Sequence, residues 1–97
     1  MTGGPRGDAV ARRLEIRNEK GLHARASAKF VEVVERFDAR ARVVKDGLEA
    51  AGDSIMGLLM LAAAKGTSVA VETEGPEAES LLDALDALVA DLFGEGM

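Results

Sequence analysis

Alternation of apolar and polar residues, together with one turn signal, predicts four β-strands. Leu14 and Ile16 alternate with charged residues, which is the period of a strand with one buried face. Val69 and Val71 have the same spacing further along the chain. The pair Asp46-Gly47 is a strong signal for a tight hairpin between two more strands. The predicted strands cover residues 10–16, 41–45, 48–50 and 68–73.

Apolar residues with helical spacing predict two α-helices, and a short apolar run predicts a third. The first begins at His23, and its buried stripe consists of Ser27, Phe30, Val31, Val34 and Phe37. The second is an apolar run over residues 55–64. The third begins at Pro76, a residue type favoured at the first helical position, and is closed by Gly94. Its stripe consists of Leu81, Leu85, Leu88, Val89 and Leu92.

The predicted order β-α-β-β-α-β-α indicates an α+β domain whose helices pack on one face of an antiparallel sheet. We expect residues 9–97 to form this single domain, after a flexible polar tail of residues 1–8. Ferredoxin-like regulatory modules share the order β-α-β-β-α-β. A module that senses a small metabolite is therefore the alternative function.

Composition narrows the chemistry that this 97-residue chain can perform. It has no cysteine and one histidine, which excludes disulfides and argues against a dedicated metal site. We expect neither a metal nor a cofactor. The longest apolar run, residues 55–64, is too short to span a membrane. Because residues 1–8 lack the apolar core of a signal peptide, we expect a cytoplasmic protein.

The charge of the chain is unevenly distributed. The net charge of −5 argues against nucleic acid as the main partner. Residues 1–45 hold eleven Lys and Arg against six Asp and Glu, whereas the remaining residues hold one Lys and eleven acidic residues. A protein that docks on the first half is therefore expected to offer an acidic surface.

His23 is the first candidate for chemistry. It precedes the first helical stripe, so it lies at or beside the N-cap, where free N–H groups and the helix dipole favour an anion such as phosphate. Arg25 follows two residues later and could pair with the same anion. From these residues alone, however, simple capping is the stronger interpretation.

The segment around Ser54 contains two further candidates. Asp53 or Ser54 is a natural N-cap for the second helix, and Ser54 is alternatively a phosphorylation site. The helix that follows is apolar on all sides, so it is either buried or presents an apolar surface to a partner. We favour docking, with Ile55, Met56 and Leu59 as partner-binding residues.

Two of these segments resemble one known family. The run from Gly21 to Arg25, followed by Ala28–Val31, resembles the active-site segment of HPr, the histidine phosphocarrier of the phosphoenolpyruvate phosphotransferase system. Residues 54–58 resemble the regulatory serine segment of that family, and the separation of the two motifs also fits. The resemblance reverses the interpretation of His23 as a simple cap.

The resemblance implies an open-faced β-sandwich, with three helices on one face of a four-stranded antiparallel sheet. It implies that enzyme I phosphorylates His23 on Nδ1 and that the phosphoryl group then passes to an enzyme IIA, with Arg25 beside the phosphate. It further implies that an HPr kinase/phosphorylase modifies Ser54. A carrier of this kind is a substrate of phosphotransferases and not itself an enzyme.

The chain departs from the family pattern at two positions. Ala26 stands where the family usually has proline, so the start of the first helix is less rigidly preset. Asp53 adds a negative charge beside Ser54, which disfavours a phosphoserine there. Residues 58–61, 64–66 and 74–76 look more like NPr, the nitrogen-branch relative, and so indicate a regulatory branch rather than sugar uptake.

Overall fold

The structure is a computed structural model that describes residues 9–95, so the predicted tail of residues 1–8 lies outside the described residues. The elements follow the predicted order β-α-β-β-α-β-α. They are β1 (Ala9–Glu15), α1 (Ala24–Glu35), β2 (Arg40–Lys45), β3 (Leu48–Ala51), α2 (Ile55–Met60), β4 (Ser68–Glu74) and α3 (Ala78–Ala90), followed by a 3₁₀ turn over Leu92–Gly94.

The four strands form one antiparallel sheet in the order β1-β4-β2-β3. Val43 of β2 faces Val71 of β4 in the register, and both side chains are fully buried beneath the helices. The predicted hairpin is confirmed, because Asp46 and Gly47 both have positive φ angles, of 51° and 83°. Positive φ at both central residues is what the favoured two-residue hairpin requires.

The three helices cover one face of this sheet, as predicted. Phe30 of α1, Leu58 of α2 and Leu85 of α3 are almost completely buried in a shared core. The inward alternation of Val69 and Val71 is also confirmed. Within residues 9–95, none of the helices has the length and apolar character needed to cross a bilayer.

The prediction of a helix over residues 55–64 is wrong at its end, because α2 stops at Met60. Ala62 has a φ angle of 52°, a left-handed conformation that a helix cannot continue through. The apolar run continues for another reason: Leu61 and Ala63 are buried against the core after the helix has ended. These two apolar residues after Met60 are therefore explained by burial in the core and not by a continuing helix.

The ends of the other two helices also differ from the prediction. α1 ends at Glu35, so Phe37 lies beyond it but still packs against the core. α3 begins at Ala78 and not at Pro76, and it ends at Ala90, so Leu92 and Gly94 lie in the 3₁₀ turn beyond it. Gly75 has a φ angle of 128°, and a Cβ atom there would lie 2.9 Å from the Cα of Ala39, so the chain turns tightly before the helix begins.

Candidate functional site

His23 is the N-cap of α1, as the sequence predicts. Its backbone is extended, and its carbonyl oxygen accepts the N–H of Ser27 at 2.8 Å, which closes the first helical turn. The ring also takes part, because Nδ1 accepts the backbone N–H of Arg25 at 3.3 Å. The imidazole is therefore held with Nδ1 directed at the free N–H groups of a helix start.

The loop in front of His23 is fixed against the segment that follows α2. Leu22 donates its backbone N–H to the Ala63 carbonyl oxygen at 2.8 Å. Gly21 has a φ angle of 64°, and a Cβ atom there would lie only 2.4 Å from the same oxygen. No larger residue fits at position 21 without moving backbone, so the glycine before His23 is required by this close approach.

The opposite nitrogen of the His23 ring has a partner from the far end of the chain. Nε2 lies 2.5 Å from Oε2 of Glu95, and both side chains are largely shielded from solvent. An ionised carboxylate can only accept hydrogen bonds, so Nε2 carries the hydrogen. A neutral imidazole has one N–H, which leaves the lone pair on Nδ1.

Glu95 is itself held by two residues. Oε1 accepts an N–H of Asn18 at 3.1 Å, while Lys29 donates to the carbonyl oxygen of Phe93, two residues earlier, at 2.7 Å. Burial raises the pKa of Glu95, but the hydrogen bonds from His23 and Asn18 lower it. Together with the charge of Lys29, and that of His23 when its ring is protonated, they bring the pKa below the ordinary value of 4.5.

Arg25 extends from the exposed side of α1, two residues after His23. It borders an open cleft of about 260 Å³ together with Lys20, Lys29 and Glu95. Within the described part of the chain its guanidinium forms no ion pair, unlike the paired Arg12 and Arg42. The Arg25 side chain is therefore free to bind an anion near the His23 ring.

A larger cleft, of about 460 Å³, lies elsewhere on the outer face of the sheet. Both of its arginines are already paired, Arg42 with Glu49 and Glu72 and Arg40 with Glu74. The cleft includes neither His23 nor any residue of α1. It is a shallow charged surface, and nothing in it supports the alternative of a metabolite-sensing module.

Ser54, and not Asp53, is the N-cap of α2. Its Oγ accepts the backbone N–H of Gly57 at 3.0 Å, and the side chain is half-buried. The capping interpretation is confirmed for Ser54, whereas its modification stays a prediction. Asp53 is exposed beside it.

The second helix is buried on one side only. Leu58 has no exposed surface, and Leu59 is half-buried. Ile55, Met56 and Met60 are 40%, 70% and 74% exposed, and we call these three residues the outer face of α2. The predicted partner-binding residues Ile55 and Met56 therefore lie on the surface, while Leu59 lies at its edge.

A comparison with known families decides the relationship of the chain. The sequence model of the family PTS-HPr, described as the PTS HPr component phosphorylation site, matches residues 10–91. That match includes His23, Arg25, Ser54 and the whole sheet except Ala9. The chain belongs to the HPr family.

Individual members of the HPr family are similar over most of the chain. The phosphocarrier protein HPr of Cupriavidus necator is 46% identical, over 84% of this chain and 91% of the relative. The phosphocarrier protein NPr of Escherichia coli is 41% identical, over 89% and 97%. The crystal structure of HPr from Thermoanaerobacter tengcongensis superposes with a TM-score of 0.86 at 35% identity, covering 91% of this chain and 99% of that one.

The HPr architecture confirms the predicted fold class, but several contacts around His23 were missed from the sequence. Glu95, Asn18 and Lys29 reach the histidine site from three separate segments. The only hint in the sequence is the apolar Phe93 next to Gly94, just before Glu95. Nothing in the spacing indicates that this end of the chain returns to His23.

Proposed function

We propose that this HPr-family chain carries a phosphoryl group on Nδ1 of His23, received from enzyme I and passed to an enzyme IIA. The observation that carries the proposal is the contact between Nε2 and Glu95, which leaves the Nδ1 lone pair available at the start of α1. The protein acts as a substrate of its partners and needs no cofactor of its own.

In the proposed step, the lone pair of Nδ1 attacks phosphorus while the bond between phosphorus and the donor atom breaks. The electron pair of the broken bond stays with the donor. The His23 ring thereby gains positive charge, and the Glu95 carboxylate on Nε2 offsets it. Transfer to the acceptor reverses the step, because the electron pair of the Nδ1–phosphorus bond returns to the ring.

The start of α1 supplies donors for the phosphoryl oxygens. The backbone N–H of Arg25 now donates to Nδ1, and it is placed to donate to a phosphoryl oxygen once Nδ1 is bonded to phosphorus. The Arg25 guanidinium, which forms no ion pair with any described residue, adds a charge-assisted hydrogen bond. These donors stabilise the added negative charge, so they set how readily the group is passed on.

Docking in this proposal uses the outer face of α2 together with the basic surface near His23. Ile55 and Met56 provide exposed apolar contact, and Leu59 borders them. The hydrogen bond between Leu22 and Ala63 ties the segment after α2 to the loop before His23. An acidic partner surface with an apolar centre fits this combination.

Ser54 is the proposed regulatory residue, as a substrate of an HPr kinase/phosphorylase. A phosphate there adds about −1.5 to −2 charge beside the outer face of α2. It would repel an acidic partner, so phosphorylated protein should need more enzyme I for the same rate of His23 labelling at an unchanged maximal rate. Equal labelling of both forms at low enzyme I concentration contradicts the switch.

For the downstream branch, we propose the regulatory, nitrogen-type acceptor. Support comes from the NPr-like segments at residues 58–61, 64–66 and 74–76. The phosphorylated chain should transfer faster to a nitrogen-type enzyme IIA than to a sugar-type enzyme IIA at equal concentration. Faster transfer to the sugar-type acceptor assigns the chain to the other branch and leaves the carrier role intact.

The carrier role is tested by incubating the protein with phosphoenolpyruvate and enzyme I and measuring acid-labile phosphate. The wild-type chain should take up one phosphoryl group, and His23→Ala should take up none. Label on His23→Ala would place the acceptor elsewhere. An unlabelled wild-type chain would contradict the proposed function as a whole.

A further inference from the structure

We propose that Lys29 and Asn18 are positioning residues for phosphoryl transfer, which act through the C-terminal turn, residues 92–95, to hold Glu95 on His23. This inference rests on the proposed carrier function. It extends that function, because it makes the turn of residues 92–95 a part of the histidine site.

The C-terminal turn is held in a conformation that its residues do not favour. Leu92 and Phe93 both have φ angles of 55°, in the left-handed region that residues other than glycine rarely adopt. Such a conformation persists only where its surroundings fix it. Phe93 provides one fixed point, because its side chain is completely buried in the core.

Lys29 provides the second fixed point. It lies on α1, six residues after His23, and its Nζ donates to the Phe93 carbonyl oxygen at 2.7 Å. The ammonium also packs against the turn itself, since a Cβ atom at Gly94 would lie 3.3 Å from Nζ. The same helix therefore carries the His23 ring at its start and the lysine that fixes the turn from which Glu95 reaches Nε2 of that ring.

Asn18 provides the third fixed point, from the loop before His23. It is fully buried, and its amide nitrogen donates both to the Gly21 carbonyl oxygen at 2.8 Å and to Glu95 at 3.1 Å. Its Oδ1 accepts no hydrogen bond from any residue that the structure describes. A buried amide with an unfilled acceptor is costly, and its bridging role explains why an amide lies there.

Together these contacts select the proton position on the ring. With Glu95 fixed, the Nε2–H form of His23 gains a hydrogen bond that the Nδ1–H form cannot make. Releasing the C-terminal turn should therefore let the Nδ1–H form compete, and that form has no lone pair on Nδ1 to attack phosphorus. The loss should fall on the maximal rate of transfer and not on partner binding.

The test compares Lys29→Met with Lys20→Met. Both lysines border the same cleft, but only Lys29 donates to the C-terminal turn. The ¹⁵N shifts of the two ring nitrogens, measured on the unmodified neutral protein, give the ratio of the two proton positions. Lys29→Met should raise the ratio of the Nδ1–H form to the Nε2–H form about two- to tenfold, the worth of one hydrogen bond. It should lower kcat of labelling in proportion to the share of the Nε2–H form that is lost. Lys29→Arg, which keeps a donor, should restore both.

A second variant, Asn18→Asp, tests the role of Asn18 with a side chain of nearly the same shape. Asn18→Asp replaces the amide donor with a carboxylate that faces Glu95, so like charges should push the C-terminal turn away. Thermal unfolding identifies samples that are folded, and the ¹⁵N shifts should change in the same direction as for Lys29→Met. Asn18→Asp that keeps the wild-type proton ratio would remove Asn18 from the proposal.

The inference is overturned if Lys29→Met keeps the wild-type proton ratio and kcat, or if Lys20→Met changes both equally, since the effect would then be one of general charge. Failure of a folded Lys29→Arg to restore them also overturns it. The ring measurement needs no phosphoryl donor. It therefore tests the positioning even if labelling of the wild-type chain fails, which is the outcome that contradicts the carrier function.

Discussion

The N-termini of α1 and α2 are both capped by a side chain that accepts a backbone N–H. At α1 the His23 ring accepts the N–H of Arg25 at 3.3 Å, and at α2 the Ser54 hydroxyl accepts the N–H of Gly57 at 3.0 Å. The difference lies in what else reaches each cap. His23 is also bound by Glu95, 72 residues further along, whereas the side-chain hydrogen bond of Ser54 stays within its own helical turn.

This difference separates a helix cap from a reaction site. Side-chain caps satisfy orphan N–H groups and occur at many helices. At α1 the second nitrogen of the capping ring is bound by a carboxylate from a distant segment, and in the proposed function this contact leaves the first nitrogen as the nucleophile. At α2 the capping residue instead lies beside the exposed, apolar outer face of that helix. This difference supports the proposal that the start of α1 reacts and that the start of α2 serves docking and regulation.

The largest expected effect is that of His23→Asn, which keeps a capping residue at the start of α1 and removes the proposed phosphoryl acceptor. Asparagine is among the best N-cap residues, so His23→Asn should keep α1 folded and lose all labelling by enzyme I and phosphoenolpyruvate. The matched variant Ser54→Asn should keep both the fold and the labelling. Circular dichroism and acid-labile phosphate measure the two properties. Residual labelling of His23→Asn would show that the start of α1 is not the site of phosphoryl transfer.

Removal of the Arg25 side chain should have the next largest effect. A hydrogen bond to a charged group is worth about 1.5–3 kcal/mol, so Arg25→Ala should slow transfer about ten- to a hundredfold. Because Arg25 is exposed, the unfolding free energy of the Arg25→Ala protein should differ from that of the wild type by less than about 0.5 kcal/mol. Arg36→Ala, an exposed arginine at the other end of α1, is the control and should transfer at the wild-type rate. Equal rates in the two variants would exclude Arg25 from the site.

The outer face of α2 should affect docking alone. Met56 is 70% exposed, so Met56→Glu should leave the melting temperature nearly unchanged. An interface residue of this kind costs about 1 kcal/mol or more when lost, which corresponds to an increase of about fivefold or more in KM for enzyme I. Leu48→Glu, at an exposed apolar position on β3, makes the same chemical change outside α2 and should leave KM unaltered. An equal increase in both variants would contradict a specific docking face.

Glu95→Gln tests the carboxylate with its shape retained. Gln can still accept from Nε2, so transfer should slow only about three- to tenfold, as the charge that offsets the phosphorylated ring is lost. The folded-state pKa of Glu95 lies below 4.5, so the ionised carboxylate stabilises the fold above that pH. This stabilisation, about 1 kcal/mol or less, should disappear as the pH falls through the folded-state pKa. Urea unfolding of both proteins between pH 3 and 7 measures it, and an equal difference at every pH contradicts the assignment.

The sequence predicts the local half of the histidine site and misses the distant half. Periodicity, one turn signal and one apolar run predict every strand and helix apart from some of their ends, and the residues around His23 place it at a cap, because these signals act within one or two turns. Glu95 meets His23 only after α3 has packed on the sheet. Asn18 and Lys29 are near His23 in the chain, but their bonds to Glu95 and Phe93 form only then, so no spacing along the chain encodes these contacts. The end of α2 was misplaced for a related reason, since Leu61 is apolar through burial and not through helical period.

The smallest expected effect concerns the cap of α2. Ser54→Ala removes the acceptor of the Gly57 N–H, which should lower the unfolding free energy by about 1 kcal/mol. Asp53→Ala, at the exposed neighbouring position, should change it by less than about 0.5 kcal/mol. Both variants should be labelled on His23 at the wild-type maximal rate, because Ser54 makes no side-chain hydrogen bond to the histidine site in the part of the chain that is described. A slower maximal rate for Ser54→Ala would mean that the two helix starts are coupled, so that Ser54 acts on the reaction itself and not only on docking.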